Sequence, residues 1–213
     1  MRRRSILAVL VLGSLLAAAP SAAAAGATFH FSSKGLGAEG GWTTASGTGS
    51  NTVFTDTFIF TSRDSFTEDG QTFTEPSIFV DQFSYKFDRR GNFVFISDRF
   101  GFASGADVDL SVDSKLRWAS VSALVPFESC DERSCSPDGT DLVEASWTGT
   151  GSVIRISQTF HAVSKEFTES GQFKGSFRNA DATATVGGVD VGEQFFADIF
   201  NATFRDVFVC HHC

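Results

Sequence analysis

The sequence predicts an all-β protein, an antiparallel β-sandwich or a flattened β-barrel, preceded by a cleaved helical signal peptide. Apolar residues alternate with polar ones at period two, as in half-buried strands. In FVDQFSYKF the rings of Phe79, Phe83, Tyr85 and Phe87 share one side. VFTDTFIF and ADVDLSVD alternate in the same way, and no segment after residue 27 sustains helical spacing. Gly, Ser, Asn and Asp separate about a dozen strand candidates, in SRDSFTEDGQT, DRRGN, SCDERSCSPDGT and ESGQ.

Residues 1–27 have the composition of a secretory signal peptide. Three arginines precede the apolar run ILAVLVLGSLLAAA, and small residues follow it. We expect cleavage near Ala25 or Ala27 and secretion of a single all-β domain, residues 28–213. No later segment has about 18 uninterrupted apolar residues, so no stable membrane span is predicted.

The charge balance is acidic. The formal net charge of the whole chain is −8. Cleavage would leave 14 Lys and Arg against 25 Asp and Glu, a net charge of −11. Nucleic acid is therefore excluded as an expected partner, because phosphate binding requires a basic surface. The acidity is interpreted as favouring solubility outside the cell.

Phenylalanine dominates the aromatic residues, with 24 Phe against 3 Trp and 1 Tyr. We expect most of these rings to form the core of the sandwich or barrel. Some of them could line an apolar pocket for a small ligand.

An internal repeat is predicted from two similar stretches, GTGSNTVFTDTFIF from Gly47 and GTGSVIRISQTFHA from Gly149. Further matches follow in the same order: FTEDGQ from Phe66 and FTESGQ from Phe167. The repeat units are 47–72 and 149–173, related by an approximate twofold axis. Each unit is expected to run from a glycine-containing bend through a strand to a turn, at Asp69-Gly70 and at Ser170-Gly171.

The string SWTGTG at 146–151, with FKGSFR at 173–178, resembles a family of small secreted bacterial proteins that carry a W-T-G-T-G block and a following F-x-G-x-F-R segment. The resemblance implies secretion and β structure. It implies no activity, and it transfers no functional residue to this chain.

Four cysteines, Cys130, Cys135, Cys210 and Cys213, are expected to form disulfides because export leads to an oxidising compartment. Pairing Cys130 with Cys135 would close a polar loop, leaving Cys210 to pair with Cys213. The alternatives are bonds between that loop and the terminus, a metal site that includes the histidines of CHHC, or a redox-active C-x-x-C.

No catalytic, cofactor-binding or metal-binding residue is predicted. The chain lacks a G-x-S-x-G nucleophile motif. Glu68 and Glu169 are the most defensible carboxylates for a glycosidase, but they are interpreted as polar turn residues. The aspartates of ADVDLSVD are interpreted as residues on the solvent-exposed side of a strand rather than as calcium ligands. His30 and His161 are interpreted as solvated or structural residues.

These observations favour a secreted, non-catalytic β protein that binds a small apolar ligand or an extracellular component. One alternative is an extracellular hydrolase that depends on carboxylates. The other is an envelope or surface interaction protein, which a broad exposed apolar patch would favour.

Overall fold

The computed structural model describes residues 28–68 and 71–211. The predicted signal peptide, the predicted turn at Asp69-Gly70 and Cys213 lie outside these residues. The described chain is all-β, and none of its segments forms an apolar helix long enough to cross a membrane. Its strands are β1 (Thr28–Ser46), β2 (Val53–Glu68), β3 (Gln71–Phe87), β4 (Phe93–Ser104), β5 (Val108–Val112), β6 (Trp118–Cys130), β7 (Cys135–Gly149), β8 (Ile154–Val163), β9 (Phe167–Val186), β10 (Val189–Asp190) and β11 (Glu193–Cys210).

Eight antiparallel strands close into a ring in the order β1-β2-β3-β4-β6-β7-β9-β11. The remaining strands attach to it, β5 to β6 and both β8 and β10 to β9. The prediction of an antiparallel all-β fold is confirmed, and the closed ring makes it a barrel.

The barrel is closed along only part of its length. Strand β9 pairs with β7 over 180–186, but over 168–177 the same edge pairs with β8. Beyond the ring, β8, β9, β11, β1, β2 and β3 therefore continue as a six-stranded sheet, which we call the sheet extension. Side chains alternate strictly between the two sides of a strand. The side that faces the barrel interior therefore continues as one side of the sheet extension, and we call that side of the extension its inward side.

Small aliphatic residues and two tryptophans fill the ring. Ile59 on β2 and the residues Ile78 and Val80 on the neighbouring strand β3 are all buried in the interior. The Trp42 and Trp147 rings lie 6.5 Å apart, centroid to centroid. Both indoles are satisfied, since Trp147 Nε1 donates to the Glu39 carbonyl at 2.9 Å and Trp42 Nε1 to the Ala182 carbonyl at 3.3 Å.

Arg99 ties its own strand, β4, to three others at the inner side of the barrel wall. Its guanidinium donates to Gln82 Oε1 at 2.9 Å and forms ion pairs with Asp138 at 2.5 Å and Asp141 at 2.6 Å. The group also lies 3.8 Å from the centroid of the buried Phe127 ring. These contacts join β4 to β3, β6 and β7, where β4 and β6 share a short ladder of four residue pairs.

The expectation of a phenylalanine core is wrong. Phe127 and Phe200 are the buried rings among the 24, all of which lie in the described residues. Along β3 the alternation is as predicted, but Val80 is fully buried while Phe79 is 38% exposed. An eight-stranded barrel has an interior just wide enough for side chains, and Ala, Val, Ile and two Trp residues fill this one.

The two GTGS stretches both lie between consecutive strands, after β1 and at the end of β7. The predicted turn at Ser170-Gly171 is wrong, because both residues lie within β9. The chain turns earlier, where the Ser164 hydroxyl accepts bonds from the Glu166 and Phe167 amides at 3.1 and 3.0 Å. Gly171 instead lies beneath the Phe160 ring, which a Cβ there would meet. Superposition of 47–72 on 149–173 stays a prediction.

The predicted disulfide between Cys130 and Cys135 is confirmed. The two residues face each other at the end of the β6–β7 hairpin, with Cα atoms 4.0 Å apart. Asp131 Oδ1 accepts the amides of Arg133 and Ser134 at 2.7 and 2.9 Å, which holds the turn between them. Cys210 is also disulfide-bonded. Its pairing with Cys213 stays a prediction, because Cys213 lies outside the described residues.

Replacing both Cys130 and Cys135 by serine is expected to lower the free energy of unfolding by about 2 kcal/mol, because the closed loop is short. Urea denaturation with and without reductant measures this effect. The native barrel should persist, since the β6–β7 ladder runs well beyond the bond. Loss of native structure in the double variant would contradict this local role.

Candidate binding surfaces

Phenylalanine side chains cover the outward side of β11, β1, β2, β3 and β4. We call this surface the aromatic face. One row crosses three strands, because Phe60 is in register with Phe79 and Phe79 with Phe102. Further outward rings on these strands include Phe29, Phe31, Phe54, Phe58, Phe66, Phe73, Phe83, Tyr85, Phe87, Phe93, Phe95, Phe100, Phe204 and Phe208.

The rings of the aromatic face pack against one another across strands. Phe54, Phe83, Tyr85, Phe87 and Phe93 form one connected cluster, with neighbouring centroids 5.3 to 6.3 Å apart. Such lateral contacts between cross-strand aromatic residues stabilise a sheet. They hold the rings in place while leaving their outer surfaces in contact with solvent.

Much of this surface is exposed. Phe93 and Phe102 are 53% and 56% exposed, and Phe31, Phe73 and Phe87 also lie at the surface. Exposed aromatic rings therefore extend from the first residues of β1 to the β3–β4 turn. Contiguous apolar patches of this extent on a folded protein mark sites of interaction.

Two carboxyl groups lie side by side within the aromatic face. Glu39 on β1 and Asp198 on β11 are directly opposed, and Phe60 flanks Glu39 on the other side. Burial, and then the charge of Asp198, raise the pKa of Glu39 to about 7. Burial also raises the pKa of Asp198. This pair is therefore only partly ionised near neutral pH.

A second carboxyl pair lies two strands away. Asp81 on β3 is in register with Phe58 and Phe100, and Asp98 lies two residues from Phe100 on the same side of β4. Burial, followed by hydrogen bonding to Asp98 and the charge of Asp98, raises the pKa of Asp81 to about 7. Each of the two carboxyls retains one buried oxygen, Oδ1, without a hydrogen-bond partner. Both pairs thus present carboxyl groups of reduced charge among aromatic rings.

Glu68 and Glu169 are not brought together. Glu68 ends β2 and Glu169 lies within β9, three strand spacings away, or about 14 Å. Glu169 is also not a turn residue, and its pKa is raised by burial and by Asp206. A glycosidase requires its two carboxyls about 5 to 10 Å apart. The two candidates therefore do not form a catalytic pair.

The other singled-out residues lie at the surface. The aspartates of the ADVDLSVD segment include the exposed Asp109 on β5 and Asp113, which pairs with Arg117 at 2.6 Å. His30 is exposed, and His161 Nδ1 lies 2.7 Å from the Ser170 hydroxyl. Within residues 28–68 and 71–211 no three potential ligands are grouped to hold a metal ion.

Two surface depressions have volumes of about 400 and 360 Å³. The first is lined mainly by polar and small residues of β6, β7 and β9, among them Ser120, Glu144 and Thr183. The second lies at the sheet extension and includes His30, Arg205 and Phe31. Neither is the phenylalanine-lined pocket expected for a small apolar ligand.

The sequence contains one local signal for the outward aromatic face. In FVDQFSYKF, Asp81 alternates in phase with Phe79 and Phe83. A carboxylate on the phenylalanine side indicates that this side faces water. The pairing of Glu39 with Asp198 has no such local signal, because it depends on a ladder between the first and last strands.

Comparisons with known proteins assign no family to this chain. No family model matches it, and no curated protein matches its sequence. Among solved structures, the beta domain of the Bordetella autotransporter BrkA covers 84% of this chain and 98% of its own. The identity is 7% and the TM-score is 0.17, so this likeness is too weak to support a structural argument.

Proposed function

We propose that this is a secreted, non-catalytic binding protein that recognises an apolar extracellular partner through its aromatic face. The observation that carries the proposal is the exposed pair Phe79 and Phe102 on the outer side of the barrel, together with the rings around it. Aromatic side chains supply large contact areas with few rotatable bonds, which suits them to recognition.

The carboxyl pairs fit this recognition. Near neutral pH, Glu39 and Asp81 are partly protonated. A protonated carboxyl costs less to bury under a partner than a carboxylate does. Binding through the aromatic face should therefore strengthen as the pH falls below about 7.

The hydrolase alternative is less well supported. The candidate carboxyls Glu68 and Glu169 are three strand spacings apart, which is farther than the separation that a glycosidase uses. Neither carboxyl pair borders the depression at β6, β7 and β9 or the one at the sheet extension.

The double variant Phe79→Ser/Phe102→Ser tests the proposal. It removes a cross-strand pair from the centre of the aromatic face. A matched control is Leu124→Ser/Leu142→Ser, which removes another exposed cross-strand pair, 60% and 41% exposed, from β6 and β7. We expect the wild-type protein to be retained on a phenyl-substituted matrix in moderate salt, and the phenylalanine variant to elute markedly earlier.

The leucine control should elute close to the wild type. If it loses retention as strongly as the phenylalanine variant, the aromatic face is not a distinct recognition surface. Circular dichroism of both variants verifies that the barrel is intact.

A further inference from the structure

The inward side of the sheet extension is strongly basic, although the protein is acidic. Its side chains form rows across the six strands. One row reads Ser157, Lys174, Thr203, Lys34, Ser65 and Thr74 from β8 to β3. The next row reads Thr159, Gln172, Arg205, Ser32, Thr67 and Thr72. We call this side the basic face.

Positive charge is segregated onto this side. Arg63 and Arg155 lie in the adjoining row, so the basic face has five Lys and Arg residues. Among the residues that the structure describes, its rows contain no Asp or Glu. The acidic residues of the same strands, including Asp64, Glu75 and Asp206, have the opposite parity and lie on the other side. A net charge of −8 makes this separation notable, because clustered cations create a local positive potential.

Three of these cations occupy positions next to Thr203 in the sheet. Lys34 and Lys174 flank Thr203 on neighbouring strands, so their Cα atoms are two strand spacings, about 10 Å, apart. Arg205 lies two residues beyond Thr203, about 7 Å along β11. All three cationic side chains are exposed, and within the described residues none of them forms an ion pair.

The surroundings of the three cations offer hydrogen bonds and a concave surface. Of the three cations, Arg205 lines the depression of about 360 Å³, together with His30, Phe31, Ser32 and Thr67, and Asp206 borders it from the other side of β11. Hydroxyl pairs line the neighbouring ladder, with Ser65 and Thr74 oxygens 2.8 Å apart and Thr67 and Thr72 oxygens 3.0 Å apart. Such an array can donate to and accept from a ligand that carries many hydroxyls.

We propose that the basic face binds an acidic polysaccharide, with Lys34, Lys174 and Arg205 pairing with its anionic groups and the Ser and Thr hydroxyls bonding to its sugar hydroxyls. Single-stranded nucleic acid fits less well. Its binding sites combine cations with aromatic rings on which bases stack. The two central rows contain no aromatic residue, and Phe31, the ring beside them on β1, has the opposite parity. This site is independent of the proposed aromatic recognition, because the two lie on opposite sides of the same strands.

The test compares two variants that lose the same charge. Lys34→Gln/Lys174→Gln/Arg205→Gln removes three cations from the basic face. Arg89→Gln/Arg90→Gln/Lys115→Gln removes three exposed cations from the loops that join β3 to β4 and β5 to β6. Binding to polygalacturonate, neutral dextran and an oligothymidylate is measured by calorimetry or biolayer interferometry at 50 and 300 mM salt.

We expect the wild-type protein to bind polygalacturonate, with an affinity that falls as salt rises, and not to bind dextran. The basic-face variant should lose about tenfold or more in affinity, while the loop variant stays within about twofold of the wild type. Equal losses in the two variants, no binding by the wild type, or tighter binding of oligothymidylate than of polygalacturonate would overturn the proposal. Retention on the phenyl matrix should be unchanged in the basic-face variant, which separates this site from the aromatic face.

Discussion

Replacing Trp147 by alanine is expected to lower the free energy of unfolding by about 3 to 5 kcal/mol. The indole is fully buried inside the barrel, against Trp42, and its Nε1 donates a hydrogen bond to the Glu39 carbonyl. Alanine would leave a cavity and a buried carbonyl that has lost this donor. A barrel has no second core to compensate for this loss.

The same substitution at Trp118 is the matched control. Trp118 begins β6 and is 46% exposed, so Trp118→Ala is expected to cost less than about 1 kcal/mol. Denaturant titration followed by circular dichroism measures both variants. Similar losses at the two positions would mean that Trp147 is not part of a packed barrel interior.

Raising the pH from 5 to 8 is expected to destabilise the fold by about 3 kcal/mol. The pKa values of Glu39 and Asp81 are raised to about 7, so the folded protein binds more protons than the unfolded chain between about pH 4.5 and 7. Stability therefore falls as the pH rises through this window and levels off above it. The magnitude is dominated by Glu39, since the partial exposure of Asp81 reduces its contribution.

The variants Glu39→Gln and Asp81→Asn should each flatten the dependence of stability on pH. Glu144→Gln, a change at an exposed glutamate on β7, should leave the slope unchanged. The lowered pKa values of Asp88, Asp113 and Asp131 act below this window, where protonation of these groups would destabilise the fold. A stability that rises between pH 5 and 8 would contradict the burial of the two carboxyl pairs.

The strands were predictable because their signal is local. FVDQFSYKF lies within β3 and VDLSV forms β5, with the alternation that the sequence indicates. The Cys130–Cys135 disulfide was equally predictable, because its two cysteines are only five positions apart in the sequence. Which side of each strand faces inward was not predictable from hydrophobicity alone, and the side that carries Phe is the outer one.

The surfaces depend on contacts that join distant parts of the chain. Lys34 and Arg205 come from the first and last strands, and Lys174 comes from β9. Only the registers of β1, β9 and β11 place these residues around Thr203. No basic cluster is therefore visible along the linear sequence.

Photo-crosslinking from the aromatic face tests the central claim most directly. Phe102 and, as a control, Leu124 are each replaced by p-benzoylphenylalanine, and the secreting culture is irradiated. The aromatic-face account predicts a discrete crosslinked product from position 102 that Phe79→Ser weakens, and no such product from position 124. No product from position 102, or an equally strong product from position 124, would contradict it.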